Sequence, residues 1–517
     1  MRRIGSALAL ASLAVLTLAP AGAQAAAAPT AGRSWEVVTG LNVPLPGGEW
    51  EGNWGALGFV TADDGSVRQT NLPGYTVTAL AYSPDARTVY SFGTFVDDLG
   101  GTVGGFAAFD ASTGEMIWQD ASVGSPRSLA VSPDGSVVML PHARGDVATR
   151  AFERFDGCTG DATSAAAVAF APDGGTVWLL CAGTRFNPIS ELRAFDATTL
   201  DPVRTIPLAD HYARALVLTP DGSTAVLSGE VGRTVEESGV PAVTRLDLTT
   251  GEITDLRLDL DLSYGALAMA PDGAYVYTLA GVGDVTAELT SVDITSMTVT
   301  TSTPFPYETG DLAVTPDGSR VYSATRSTPA GSETPLVSAH DAGTLATLSQ
   351  SPFEASGLLG LAVTPDQAPI ARLTASEPNS PVTFDASGST VEFGSIAEYA
   401  WDFGDGTTLV TSTPVVEHEY TQPGEYTASV RLTSSGGTST EDVYTGQQLL
   451  RNGDPSAIAT VTVTVPAAPA PGVSAELPPT GFDSSGFGGA GFAVAAAALV
   501  IAGGIAVGLG RRRGRQP

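Results

Sequence analysis

At 517 residues the chain is too long for one average domain. Its 60 Gly, 35 Pro and charged fraction of only 15% describe a turn-rich β protein rather than a helical or disordered one. The formal net charge is −30 and all 25 basic residues are Arg, so the surface repels phosphate backbones and nucleic acid is excluded as a partner. With no Lys, no Lys–Asn isopeptide bond can form and no Lys amine can accept another subunit, which argues against a polymerising shaft.

At the N-terminus, Arg2 and Arg3 precede the apolar run "IGSALALASLAVLTLAP", and "AQA" at 23–25 supplies a small-x-small cleavage pattern. This predicts a secretory signal peptide over residues 1–25, the apolar core being short for a membrane span.

Seven related stretches follow. They are "LAYSPDARTVY" (80–90), "LAVSPDGSVVM" (129–139), "VAFAPDGGTVW" (168–178), "LVLTPDGSTAV" (216–226), "LAMAPDGAYVY" (267–277), "LAVTPDGSRVY" (312–322) and "LAVTPDQ" from 361. Their prolines, 84, 133, 172, 220, 271, 316 and 365, are separated by 49, 39, 48, 51, 45 and 49 residues. Each unit reads as a strand, a turn and a second strand: Pro fixes φ, Asp bonds locally to backbone, and Gly accepts positive φ.

A second signature lies 21–26 residues after each Pro-Asp pair, at Asp110, Asp196 and Asp247, with weaker forms at Asp156, Asp293 and Asp341. It predicts a third strand closing on an Asx-type turn, then a fourth. Four strands every 40–50 residues is the spacing of a propeller blade. The last repeat supplies only an inner strand, so "SWEVVTG" and "GALGFVTADDGSVRQTNL" near the N-terminus are predicted to complete its blade. That closure removes exposed sheet edges. The expected fold is therefore all-β, beginning with a seven-bladed β-propeller over 34–366. "VGSPRSLAVSPDG" with "FDASTGE" resembles the YVTN and YncE-like propeller family.

Past the seventh turn the period changes. "WDFGDG" followed by "HEYTQPGEY" is similar to the PKD domain, which implies an immunoglobulin-like β-sandwich over 367–465. Tyr426, Ala428, Val430 and Leu432 show the strand alternation of such a sheet. Trp401 is assigned to its core, and Asp402, Asp405 and Gly406 to a tight turn. "EDVYTGQQLLRNGDPSA" (441–457) is an insertion expected to reshape one end of the sandwich. A Pro/Ala spacer covers 466–476.

The remaining C-terminal segment, 477–517, has three parts: "ELPPTGF", an apolar stretch at 491–510 long enough to form a transmembrane helix, and "RRRGRQP". Leu477, Pro478, Pro479, Thr480 and Gly481 resemble the LPxTG sorting signal of Gram-positive surface proteins. The resemblance implies cleavage by sortase after Thr480 and covalent attachment of Thr480 to cell-wall peptidoglycan. The membrane is then met only through this segment.

Few residues point to chemistry. G-x-S-x-G, HExxH, CxxC and the P-loop are absent. The four histidines, His142, His211, His340 and His418, show no convergence in sequence. Trp118 in "AFDASTGEMIW" resembles the tryptophan-docking repeat of quinoproteins, but the other blades lack the Trp, so no cofactor is expected. Asp402 and Asp405 offer too few oxygens for calcium, and no metal site is expected. Cys158 and Cys181 could pair outside the cell or remain buried thiols; a metal site would need more ligands. No catalytic residue is assigned. The expected function is a non-enzymatic, wall-attached binding or adhesion protein for an extracellular glycan or protein. The alternatives are a lactonase-like propeller hydrolase and an architectural stalk.

Overall fold

The computed structural model describes residues 31–467 except 44–53, 97–100, 124–127, 159–163, 184–189, 235, 259–264, 283–285, 306–309, 325–333 and 378–380. The expected signal peptide, sorting motif and membrane span lie outside the described residues. Apart from one 3₁₀ turn at Pro455–Ala457, the described chain is strand and turn. Among the described residues, no helix is long and apolar enough to cross a membrane.

Residues 36–363 form a β-propeller-like ring of seven four-stranded antiparallel sheets. In chain order their first, innermost strands are Tyr75–Tyr82, Ala130–Val131, Ser164–Phe170, His211–Leu218, Ala266–Met269, Leu312–Val314 and Gly357–Val363. The last of these has no following strand of its own. It pairs instead with Glu36–Asn42, which pairs with Trp54–Thr61 and then Val67–Pro73. Val38 stands opposite both Ala362 and Phe59, so the two ends of the repeat region share one sheet.

The repeated turn stitches neighbouring sheets together. Gly135, Gly174, Gly222, Gly273 and Gly318 all have φ near +70°, a conformation open to glycine, and a Cβ at any of them would meet the Pro of the preceding turn within 2.7–3.5 Å. In the first turn Ala86 takes the left-handed position at φ 60 and is buried beside Trp35, Ala62 and Phe393. The third-strand aspartates cap their own turns: Asp196, for example, accepts from the amides of Thr198 and Thr199 at 2.9 and 2.8 Å. In the second sheet that role falls to Asp146, which accepts from Thr149 N at 2.8 Å, and not to Asp156, which follows the fourth strand. The shorter repeat draws its strands together, shifting the turn by ten residues.

The second domain is a sandwich. One sheet runs Thr408–Thr411, Ile396–Asp402, Gly424–Ser434, Ile458–Val465; the facing one contains Thr374–Ala375, Val382–Asp385 and Val415–His418. Trp401 is 2% exposed within a core of Phe384, Tyr399, Phe403, Val430 and Leu432. Its indole donates to Thr411 Oγ1 at 3.0 Å. Asp402 and Asp405 accept the amides of Gly404 and Thr407 at 2.9 and 3.0 Å, shaping the turn.

Sandwich and ring are bonded together. Gly32 N donates to Gly394 O and Arg33 N to Glu392 O, both at 2.7 Å. Buried Asp366 accepts from Trp35 Nε1 at 2.9 Å and from the Ser434 hydroxyl, and burial raises its carboxyl above the ordinary range.

Candidate functional site

The innermost strands surround a central channel whose cavity measures about 340 Å³. Its walls are mostly small or aliphatic, because each inner strand turns Ala, Leu, Val or Gly toward the axis. Polar groups interrupt this wall at Thr78, Ser128, Arg214 and Asp311. Among the described lining residues Arg214 is the one cation and Asp311 the one anion. Asp311 accepts from Leu312 N and, in the adjoining sheet, from Leu361 N, both at 2.9 Å. Arg214 lies 4.2 Å above the Tyr212 ring centroid and donates to its hydroxyl; Arg233 lies 4.7 Å from the same ring.

One end of the channel is closed by the sandwich insertion. The expectation that residues 441–457 reshape the sandwich is corrected: this segment leaves the sandwich and enters the ring. Tyr444, 1% exposed, packs with Ala130, Met139, Val168 and Phe170 and donates to Val131 O at 2.6 Å. Gly446 O accepts from Phe170 N at 2.6 Å, and Thr445 O from Leu218 N at 3.0 Å. Gln447 Nε2 donates to Leu216 O at 2.8 Å, Gln448 Nε2 to Val363 O at 2.6 Å, and Arg451 Nε to Pro316 O at 2.8 Å. The segment thus satisfies backbone groups at the ends of inner strands from several sheets, with Thr445, Gln447, Gln448 and Leu450 as the cavity floor. Leu449–Asn452 also pairs in parallel with Asp366–Gln367.

The residues singled out by sequence stand elsewhere. Among the described lining residues there is no histidine. His142 contacts Val123 O. His211 Nε2 meets Asp255 Oδ1 at 2.9 Å. His340, 1% exposed, pairs with Ser323 Oγ at 3.0 Å, and burial lowers its pKa to about 4. His418 stacks on Phe403 at 4.0 Å and meets Asp405 Oδ2 at 2.8 Å. Trp118 packs on Phe106 of its own sheet and Phe152 of the next, at 5.0 and 6.2 Å. The carboxyls of Asp196, Asp247 and Asp293 are held below their ordinary value by their own turns' amides. Among the described residues no three His, Cys, Asp or Glu are grouped to hold a metal ion. Cys158 and Cys181 form a disulfide, tying the segment after the second sheet to a buried strand of the third.

Residues 364–446 match the PKD domain family. Over 64 residues the chain is 38% identical to a microbial collagenase of Vibrio alginolyticus, 12% of this chain and only 8% of that protein. Among solved structures it is similar to the Pseudomonas aeruginosa periplasmic gluconolactonase, at 18% identity and TM-score 0.47, over 64% of this chain and 99% of that one. A proposed 6-phosphogluconolactonase from Bacteroides fragilis aligns at 17% identity and TM-score 0.45, over 64% of this chain and 98% of that one. Hydrazine synthase of Kuenenia stuttgartiensis aligns at 18% and 0.42, over 55% and 88%. With enzymes among these structures, the expectation that the chain is not an enzyme is withdrawn.

Proposed function

We propose that this is an exported surface protein, its signal peptide (1–25) removed, joined by sortase through Thr480 to peptidoglycan. Its seven-bladed propeller then holds a small polar ligand in a channel closed at one end. The observation that carries the ligand site is the cavity itself: about 340 Å³, within the range of small-molecule sites, with Arg214 on a wall of mostly small and aliphatic side chains. A guanidinium on such a wall favours a carboxylate or carbonyl oxygen, since its N–H groups only donate. The PKD domain supports an extracellular setting. The order of Leu477–Gly481, apolar stretch and Arg cluster supports wall attachment.

Two measurements test the reading. Thr480→Ala is expected to abolish covalent recovery with peptidoglycan fragments after muralytic digestion of a sortase-bearing Gram-positive host. Equal recovery of wild type and variant rules out attachment at this site. For the channel, gluconate supplies a carboxylate with hydroxyls, and its lactone tests for turnover in the same experiment. Calorimetry should show gluconate binding that Arg214→Met weakens at least tenfold, the scale of a lost charged hydrogen bond. Hydrolysis of the lactone, lost with the same substitution, would make the site catalytic. Absence of both binding and turnover refutes the channel reading.

A further inference from the structure

We infer that Gln447 and Gln448, supplied by the sandwich rather than by the ring, contact the ligand and select for hydroxyl groups at the cavity floor; this rests on the channel reading above. The inference follows from hydrogen-bond polarity. Each side-chain amide is fixed by a backbone carbonyl, Leu216 O for Gln447 and Val363 O for Gln448. A carbonyl only accepts, so the NH₂ group of each side chain must face it. The side-chain oxygen is thereby turned off the wall. Both residues line the cavity, and among the described residues no donor is bonded to either oxygen. Neither oxygen is among the buried atoms lacking a partner, so both are accessible acceptors on residues that line the cavity.

Two amide acceptors at the floor and a guanidinium donor on the wall make a site with two chemical senses. A ligand that satisfies both presents an anionic or carbonyl oxygen to Arg214 and hydroxyl donors to the floor. That is a small polyhydroxy carboxylate, or its neutral carbonyl form. The floor also holds its own geometry. Gly446, at φ +91, sits so close to the ring that an added Cβ would meet Leu218 Cγ at 2.9 Å and Ala169 Cβ at 3.0 Å, and Tyr444 beside it is buried. The acceptors are therefore held in place before any ligand arrives, which limits the ordering cost of binding.

The test compares gluconate with hexanoate, a carboxylate without hydroxyls, by calorimetry on the whole exported chain. Wild-type protein is expected to prefer gluconate by more than tenfold. Gln447→Met and Gln448→Met keep side-chain length but remove the acceptor, and each is expected to weaken gluconate about tenfold while leaving hexanoate unchanged or tighter. Unfolding midpoints establish that the variants are folded. If they are not, the wild-type preference alone decides, and equal affinity for the two acids overturns the inference. Gluconate binding that both variants retain unchanged also overturns it, while leaving the channel reading intact. Failure of wild type to bind either acid removes both.

Discussion

Truncation of Tyr444 measures how firmly the sandwich insertion is seated in the ring. Its ring is 1% exposed and its hydroxyl donates to Val131 O at 2.6 Å, with Gly446 O 3.0 Å away. Burial holds the phenol well above its ordinary value, so it remains a neutral donor at any pH compatible with folding. Tyr444→Phe keeps the packing and leaves Val131 O without this donor; a lost neutral hydrogen bond costs about 1 kcal/mol. Tyr444→Ala also deletes the ring from its contacts with Met139, Val168 and Phe170, and cavities of this kind cost about 3–5 kcal/mol. The larger loss shifts the balance between seated and released insertion by roughly a thousandfold, at about 1.4 kcal/mol per decade.

Urea denaturation reads the stability, and limited proteolysis mapped to residues 441–453 reads release of the segment. The expected order is wild type, then the Phe variant about 1 kcal/mol lower, then the Ala variant with cleavage in the insertion preceding global unfolding. An Ala variant within about 0.5 kcal/mol of wild type, with its insertion still protected, would refute the seating.

Three further outcomes follow from the same structure. Gly446→Ala places a side chain against Leu218 and Ala169 in a left-handed backbone, so it should destabilise by at least about 1–3 kcal/mol and expose the insertion to the same protease; an unchanged digestion pattern counts against it. His340 is buried neutral with its pKa lowered from 6.5 to about 4. Its contribution is therefore fully present above pH 6.5 and is lost as pH falls from 6.5 toward 4, a change of roughly 3 kcal/mol. His340→Gln should flatten that part of the stability–pH curve, and identical slopes would remove the assignment. Reduction, or Cys158→Ser, opens a loop of sequence separation 23 and should cost about 3 kcal/mol in the chain-entropy description, read as a lower urea midpoint that reductant no longer changes in the variant.

The repeated strand–turn–strand was legible because its cause is local. The Pro-Asp-Gly turn writes its φ values into three residue types, and the aliphatic inner strand precedes it at a fixed spacing. The shared final sheet could also be anticipated, since a repeat that stops after one strand needs partners from somewhere. Asp146 escaped notice because the second repeat is compressed, and "ERFDG" imitates the turn signature ten residues later. Arg214 has a readable signal: it lies six residues before Pro220, where the other repeats carry Thr78, Arg127, Ala166, Gly265, Gly310 or Leu359. Aligning the inner strands by their prolines sets Arg214 and Arg127 apart as the two arginines at a position that is otherwise uncharged. The destination of the insertion was not legible. Its partners are the backbone groups of Val131, Phe170, Leu216, Leu218, Pro316 and Val363, and a backbone carbonyl has no sequence signature.

Seating the insertion also ties the cavity to the sandwich. The strand Gly424–Ser434 begins at the end of the sandwich remote from the ring and finishes at Ser434, which donates to Asp366 at the junction. Val465, the last residue of the final strand, pairs with Gly424. The chain therefore leaves the sandwich at its far end, about 30 Å along the strand from the ring at 3.3 Å per residue. The floor made by Gln447 and Gln448 occupies the ring face toward the sandwich. A PKD domain acting only as a spacer would contribute nothing to the cavity. Here the same domain supplies the floor of the cavity, so one set of hydrogen bonds both joins sandwich to ring and shapes the site, and a variant that releases the insertion should disturb ligand binding and this junction together.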